Sequence, residues 1–310
     1  MLNNFLKSKK NNWLITLGLA MLALGVLTLI YSYFFSPASE SSYLISKYTS
    51  VPYFVFLLVA IIGAPIIEEL SFRGGFSKSK IIKTLSIIGL ISLLIITKNT
   101  ITKIFTLIYL CVLIISFYKR NKLLEINLFL LNALIFSFFH LNVEELFTAL
   151  SLAGFSFRFS FALFAIWICL NFNLFKSILF HAVWNTILMA SISVMIFFPD
   201  KTINHYEDNN IKVTWYRQSK SLKGSTVNFF TPKNTIEAKN CNAIFLLKST
   251  EWSTKNNDST SKNFIPVELF MDYNFTIKLK DTTTKKQNLY KPVKRFLITN
   301  NLIKSIENND

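Results

Sequence analysis

The chain has 310 residues, of which 52% are hydrophobic and only 16% are charged. The apolar residues fall in long blocks, which excludes an ordinary soluble globule and predicts a membrane protein. The net charge is +16, but the basic residues form short clusters between the apolar blocks, as topology signals do, and no basic patch with stacking aromatics indicates a nucleic-acid partner. Three cysteines without a C-x-x-C spacing indicate neither a disulfide framework nor a zinc finger.

Seven apolar blocks predict an all-α polytopic membrane bundle of about seven spans. In chain order the blocks are Trp13–Phe35, Val51–Ile67, Leu85–Thr97, Ile101–Tyr118, Leu123–Leu141, Leu146–Leu170 and Leu174–Phe198. The first block is too long for a typical cleaved signal and is expected to be a retained anchor. Gly154 and Arg158 interrupt the sixth block, which is therefore either one kinked span or two short helices. With the Lys-rich clusters in the cytoplasm, seven spans leave the C terminus outside, and eight leave it inside.

The composition changes after Pro199, where Asn, Lys, Ser and Thr replace the apolar residues. Short alternating or β-branched stretches at Ile211–Tyr216, Ala243–Leu247 and Phe275–Leu279 predict strands separated by polar turns. We therefore expect a membrane domain over residues 1–200 and a small β-rich polar appendage of unknown role over residues 201–310. A partly disordered tail is the alternative.

Two adjacent glutamates lie at the end of the second block. Ionisable side chains are costly at membrane depth, so each is a candidate functional group. Glu69 and Arg73 are four residues apart on one predicted helix, with the acid first, and form a favourable pair. Glu68 points about 100° away around the helix, lacks such a partner and is suited to act as a general base. Alternatively, both glutamates only mark the cytoplasmic end of the span.

Two histidines belong to the fifth and the last apolar blocks. His140 ends the phrase that begins at Phe136, and by itself it is equally typical of an interfacial histidine bonded to a neighbouring helix. His181 and Asn185 lie four residues apart and share one helix face. Such a pair could bind a metal, hold a water or donate hydrogen bonds to an oxyanion, or it could join neighbouring helices.

Together, three motifs resemble the CAAX protease and bacteriocin-processing family, integral membrane peptidases related to the type II CAAX prenyl endopeptidase. The motifs are E-E-x-x-x-R at Glu68–Arg73, F-x-x-x-H at Phe136–His140 and H-x-x-x-N at His181–Asn185. The resemblance covers about residues 51–198 and does not include the tail. The first two motifs lie further apart than is usual for the family, and the blocks within residues 85–118 look like an inserted helical hairpin, which is not expected to disturb the site.

The resemblance implies an endopeptidase that cuts peptide or protein substrates in or at the bilayer. By carry-over, Glu68 with His140 would activate a water, while His181 and Asn185 would stabilise the tetrahedral oxyanion. The Glu69–Arg73 pair would hold the first helix in place. Alternatively, Glu68, His140 and His181 would bind a divalent metal such as zinc, whose bound water would be the nucleophile. The sequence does not decide between these mechanisms.

Other functions fit the sequence less well. No G-x-S-x-G occurs, and residues 1–199 contain no Asp, which disfavours serine and intramembrane aspartyl mechanisms. No internal repeat suggests a transporter. A non-catalytic membrane immunity or assembly protein of the same fold, whose basic tail binds a partner, remains the second hypothesis. A composition rich in Asn, Lys, Ile and Phe is typical of an AT-rich bacterial genome, so we expect the bacterial inner membrane and doubt prenylated substrates.

Overall fold

The computed structural model describes residues 11–35, 52–97, 99–119, 121–141, 148–220, 225–231, 235–253, 263–268, 270–280 and 289–305. The chain divides into two compact units. One consists of Met1–Ser41 and Leu57–Ile187, and the other of Ser42–Phe56 and Leu188–Asp310. We call them the membrane unit and the C-terminal unit. Their division at Leu188 falls inside the last apolar helix, upstream of the change in composition at Pro199.

Apolar helices form the first part of the chain. They are α1 (Asn12–Phe35), α2 (Tyr53–Leu58), α3 (Ala64–Arg73), α4 (Lys80–Ile96), α5 (Thr100–Tyr118), α6 (Lys122–Phe139), α7 (Ala149–Asn171) and α8 (Leu174–Phe197). A π-helical turn, Val59–Gly63, joins α2 to α3, and a 3₁₀ turn, Gly74–Phe76, follows α3. Six helical segments of the described part are long and apolar enough to cross a bilayer. The fold is therefore that of a multi-pass membrane protein. Helix α4, with 17 residues, falls just short of that length.

Polar side chains cap the N-terminal ends of several of these helices. Each accepts a hydrogen bond from a backbone N–H of the first helical turn, which would otherwise lack a partner. The capping residues are Ser79 of α4, Asn99 of α5, Asn121 of α6 and Thr148 of α7. The short polar stretches between the apolar blocks therefore determine where these helices begin.

The sixth apolar block forms one helix, α7, throughout its described part. The interpretation as two short helices is wrong. Arg158 folds back along its own helix, so that one guanidinium nitrogen lies 3.0 Å from the position a Cβ would occupy on Gly154. The missing side chain at Gly154 makes room for the guanidinium, and neither residue interrupts the backbone hydrogen bonding of the helix.

Strands and two helices form the C-terminal unit after α8. They are β1 (Asn204–Glu207), β2 (Ile211–Gln218), β3 (Thr226–Thr231), β4 (Thr235–Cys241), α9 (Ala243–Ser253), β5 (Phe264–Pro266), β6 (Asp272–Leu279), α10 (Tyr290–Thr299) and β7 (Ile303–Ser305). Five strands make an antiparallel sheet in the order β1-β2-β6-β4-β3, and β5 pairs with β7. On β2, β4 and β6, Val213 and Ile236 both lie opposite Ile277. These residues form one buried core with Leu246 of α9 and Phe296 of α10.

The predicted β-sheet region is confirmed, but one of its predicted strands is wrong. The predictions at Ile211–Tyr216 and Phe275–Leu279 lie within β2 and β6. Ala243–Leu247 is instead the beginning of α9. Asn242 explains the difference, because its Oδ1 accepts a hydrogen bond from the backbone N–H of Phe245 at 2.7 Å and thereby caps the helix.

Candidate active site

The two glutamates lie on α3, directly after the π-helical turn. A π turn leaves backbone carbonyls without their usual helical partner, and such turns often occur at functional sites. Asn185 of α8 donates a hydrogen bond from Nδ2 to the carbonyl oxygen of Ala60 within this turn, at 2.8 Å. Asn185 therefore bonds to the backbone that leads into α3. The carboxylates of Glu68 and Glu69 have other partners.

Glu69 is fully buried and accepts contacts at both of its oxygens. Its Oε1 lies 3.2 Å from an Nη of Arg73 and 3.0 Å from Nδ1 of His181. Its Oε2 accepts a hydrogen bond of 2.6 Å from Ser177 Oγ. Arg73 is fully buried as well, and its guanidinium carbon lies 4.5 Å from the ring centre of Phe136. The predicted pair of Glu69 and Arg73 is thus one part of a larger cluster.

Glu68 faces both histidines. Its Oε2 lies 3.4 Å from Nε2 of His140 and 3.8 Å from Nε2 of His181. The Nε2 atom of His140 is buried and makes no hydrogen bond within the described part of the chain. The side chains of Glu68 and His140 are 16% and 27% exposed, whereas those of Glu69 and Arg73 are not exposed at all. Glu68 and His140 are therefore the more accessible residues of the cluster, and Glu69 and Arg73 are closed off.

The hydrogen bond to Glu69 determines which nitrogen of His181 carries a proton. An ionised carboxylate only accepts hydrogen bonds, so Nδ1 of His181 is assigned as the donor to Glu69. Nε2 is then the nitrogen that faces Glu68. Since His181 contacts both glutamates, it links the buried ion pair to the more accessible pair of Glu68 and His140.

Aromatic rings enclose the two imidazoles. The ring centre of Phe136 lies 5.1 Å from His140 and 5.9 Å from His181, and that of Phe161 lies 4.7 Å from His181. Phe139 meets His140 edge-on at 5.1 Å. These walls restrict the orientation of both imidazoles and lower the local dielectric, which strengthens the electrostatic interactions among the charged groups.

Side chains from four other helices bind the C-terminal end of α3. A helix end in a membrane needs such donors because its last carbonyls have no water to bond. The donors are Ser86 of α4, Tyr109 of α5, Asn132 of α6 and Cys169 of α7. Asn132 Nδ2 lies 2.5 Å from the carbonyl oxygen of Phe72, and Ser86 Oγ lies 2.6 Å from that of Ser71. The hairpin of α4 and α5 therefore contributes directly to holding this end of α3.

Sequence reasoning found the six charged and polar motif residues but missed Ser177. The structure brings five of the six together directly, and Asn185 contacts the adjoining π turn. Ser177 precedes His181 by four positions and therefore lies on the same face of α8 as His181 and Asn185. This repeat of polar residues every fourth position was the signal that could have identified it.

The alternative that follows from the family resemblance requires Glu68, His140 and His181 to bind a divalent metal. Among the described residues, no group of three or more His, Cys, Asp or Glu side chains is arranged to hold a metal ion. The predicted ligands Glu68, His140 and His181 face one another without forming such a group. Zinc or another divalent ion therefore stays a prediction.

Neither protein-family models nor curated proteins nor solved structures yield a match to the chain. The fold and the cluster define a polytopic helical membrane protein with an acid–histidine site inside the bundle. Any relation to the CAAX protease and bacteriocin-processing family rests on the three motifs.

Proposed function

We propose that the protein is an intramembrane endopeptidase of the CAAX protease and bacteriocin-processing type, which hydrolyses peptide bonds of membrane-associated substrates. One observation carries the proposal: Glu68 Oε2 faces the Nε2 atoms of two histidines from different helices, 3.4 and 3.8 Å away. Both distances exceed the length of a good direct hydrogen bond, so all three atoms can still bind the attacking water. We further propose seven spans, including α4, in a bacterial inner membrane.

In the proposed reaction, Glu68 and His140 activate the water. Glu68 Oε2 accepts a proton from the water while His140 Nε2 orients it, and the water oxygen attacks the carbonyl carbon of the scissile bond. The carbonyl oxygen becomes an oxyanion. Collapse of the tetrahedral intermediate breaks the C–N bond, and Glu68 returns the proton to the leaving amine. Glu68 therefore acts first as a general base and then as a general acid.

His181 is proposed to stabilise the oxyanion. Nε2 of His181 lies 3.8 Å from Glu68 Oε2, and it would donate a hydrogen bond to the oxyanion as negative charge develops there. Glu69 holds the ring because its Oε1 accepts a hydrogen bond from Nδ1–H, with 3.0 Å between the nitrogen and the oxygen. A buried carboxylate that orients an imidazole in this way acts as the aspartate of a serine-protease triad does.

Asn185 is proposed to contribute in two ways. One N–H of its amide bonds to the carbonyl of Ala60 at 2.8 Å and so fixes the turn that leads into α3. A carboxamide has a second N–H, which is left for the oxyanion role that the family resemblance implies. The fixed first hydrogen bond determines where the second N–H points.

The experiment is a proteomic comparison of host cells that carry the wild type, Glu68→Gln or the control Glu237→Gln. Glu68→Gln removes the base with little change in shape, while Glu237 lies on the sheet of the C-terminal unit. We expect truncated membrane peptides to disappear only in Glu68→Gln cells. If no peptide changes although the variant is present in the membrane at the wild-type level, the proposal fails. Repeating the cleavage of an identified peptide with a chelator distinguishes a metal-dependent reaction from a metal-free one.

The alternative is a non-catalytic immunity or assembly protein whose C-terminal unit binds a partner. This unit has a hydrophobic core of its own, as a binding module requires. Biological activity that survives Glu68→Gln but is lost on removal of residues 201–310 would favour this function over proteolysis.

A further inference from the structure

We propose that the C-terminal unit regulates the candidate site, an inference that rests on the proposed function. It does so by holding the ends of the two helical segments that carry Glu68 and His181. The contacts concerned all lie within the C-terminal unit. Their side chains are Tyr53, Phe56, Ser193, Phe197 and Phe270, which we call the helix-end cluster.

Tyr53 joins the beginning of the segment that carries Glu68 to the end of α8, the helix that carries His181. It is the first residue of α2 and is buried. Its hydroxyl forms a hydrogen bond with Ser193 Oγ, and its ring centre lies 5.9 Å from that of Phe197. Both partners belong to the last turns of α8. These contacts therefore fix the spacing between the two helix ends within the cluster.

Phe270 packs on this junction from the segment that precedes β6. Its ring centre lies 5.2 Å from that of Tyr53 and 5.2 Å from that of Phe56. Its φ angle is +60°, in the left-handed region that a bulky side chain rarely adopts. Such a conformation costs on the order of 1–3 kcal/mol and persists only when the surroundings compensate for it. The contacts of Phe270 with the helix ends offset this cost. When the contacts are lost, the left-handed conformation of Phe270 is no longer favoured, and the residue is free to change conformation.

Lys220, just after β2, holds Phe270 and the end of α8 together. Its backbone N–H donates to the carbonyl oxygen of Ile196 at 3.2 Å. Its Nζ donates to the carbonyl oxygen of Phe270 at 3.4 Å and pairs with Asp272 at 3.0 Å. Because β2 and β6 are neighbours in the sheet, a ligand or partner that shifts this end of the sheet moves both attachments at once.

The helical segments can transmit such a shift to the site residues. Residues 53–73 are helical without a break, and Glu68 follows Phe56 by 12 positions along the chain. The same sequence distance separates His181 from Ser193. Between Phe56 and Glu68 lies the π turn Val59–Gly63, which has one residue more than a regular α-helical turn. Its conversion to regular helix would rotate α3 by about 100° relative to α2 and turn Glu68 away from His181. The hydrogen bond from Asn185 to Ala60 holds the π turn in its present state, and conversion of this turn is the switch that the proposed regulation requires.

The test compares Phe270→Asn with Phe245→Asn in the full-length protein in nanodiscs. Asn adopts the left-handed backbone more easily than Phe does, so Phe270→Asn removes the ring but keeps the chain path. Phe245 lies on an exposed part of α9 and is the matched control. Backbone hydrogen exchange of residues 57–70 is measured together with cleavage of a membrane peptide. We expect exchange in the π turn to be at least about tenfold faster for Phe270→Asn, with a comparable loss of cleavage, and no change for Phe245→Asn.

Ser193→Ala gives a second measurement, because it removes the bond to Tyr53 without altering the sheet. Unchanged exchange in the π turn for both Phe270→Asn and Ser193→Ala overturns the proposal, and so does faster exchange with full cleavage. Exchange of β2 and β6 amides reports whether the sheet is intact; if Phe270→Asn disturbs it, Ser193→Ala decides alone. If the π turn responds while the wild type cleaves no membrane peptide, the coupling stands and the proposed proteolysis fails.

Discussion

Ser177 offers a sharp test of the buried half of the site. Its side chain is fully buried, and its Oγ lies 2.6 Å from Glu69 Oε2 and 3.0 Å from the carbonyl oxygen of Ala165. Its single proton is directed to the nearer, charged acceptor. Ser177→Ala would remove the donor that the described part of the chain provides to Oε2 of the buried Glu69 carboxylate. A hydrogen bond to a charged group is worth about 1.5–3 kcal/mol, which corresponds to roughly 10- to 150-fold in rate.

We expect the loss from Ser177→Ala in kcat and little change in KM. Glu69 acts through His181 and does not contact the substrate in the proposed reaction, so its displacement affects the oxyanion step more than binding. Cleavage of an identified peptide in proteoliposomes measures both constants. Ser160→Ala is the control, because Ser160 is also buried and bonds another helix, at the carbonyl oxygen of Gly18, 2.7 Å away. Equal effects of the two substitutions would refute the role of Ser177 at the site.

Two further predictions concern packing and pH. In Gly89→Ala, the new Cβ would clash with Ser71 Oγ and lie 3.2 Å from Ser71 Cα. Thermal unfolding in detergent should therefore show that the free energy of unfolding falls by about 1–3 kcal/mol. Gly63→Ala, whose Cβ would lie 3.9 Å from Val59, should be tolerated, and equal stability of the two variants would contradict the close approach of α3 and α4. Burial raises the pKa of Asp272 although Lys220 partly offsets it. The protonated Asp272 carboxyl therefore stabilises the folded state. This contribution is complete below the pKa of about 3.9 that the carboxyl has in the unfolded chain, and it is lost as the pH rises through the higher pKa of the folded state. The thermal unfolding temperature of the C-terminal unit should fall as the pH rises between these two pKa values. An equal fall in Asp272→Asn would show that Asp272 is not the group responsible.

The sequence predicted the helical segments well because their causes are local. A long apolar block can satisfy its backbone in a bilayer only as a helix, and polar residues such as Ser79 and Asn99 mark where helices begin. The strand predicted at Ala243–Leu247 failed because a short apolar run fits both structures. The helix there is capped by the side chain of Asn242, and it buries Leu246 in the core of the C-terminal unit.

Contacts between helices were beyond the sequence. The spacing predicts that His181 and Asn185 share a helix face, but it does not predict which residues that face contacts. The structure puts His181 against both glutamates and Asn185 against the carbonyl of Ala60. No sequence pattern marks the π turn or the donors that α4 and α5 provide to α3, because these arise from the packing of distant segments.

Stability alone does not account for Glu68. Burying a charged group is costly, and an apolar residue of similar size often serves the fold as well or better. Glu69 is compensated by Arg73, His181 and Ser177, so a structural role could explain it. Glu68, in contrast, has ion-pair contacts only with two imidazoles in the described part of the chain, at 3.4 and 3.8 Å. A carboxylate kept at membrane depth with such weak compensation contributes little to the bundle, and an acid–base function gives the more direct reason for its presence.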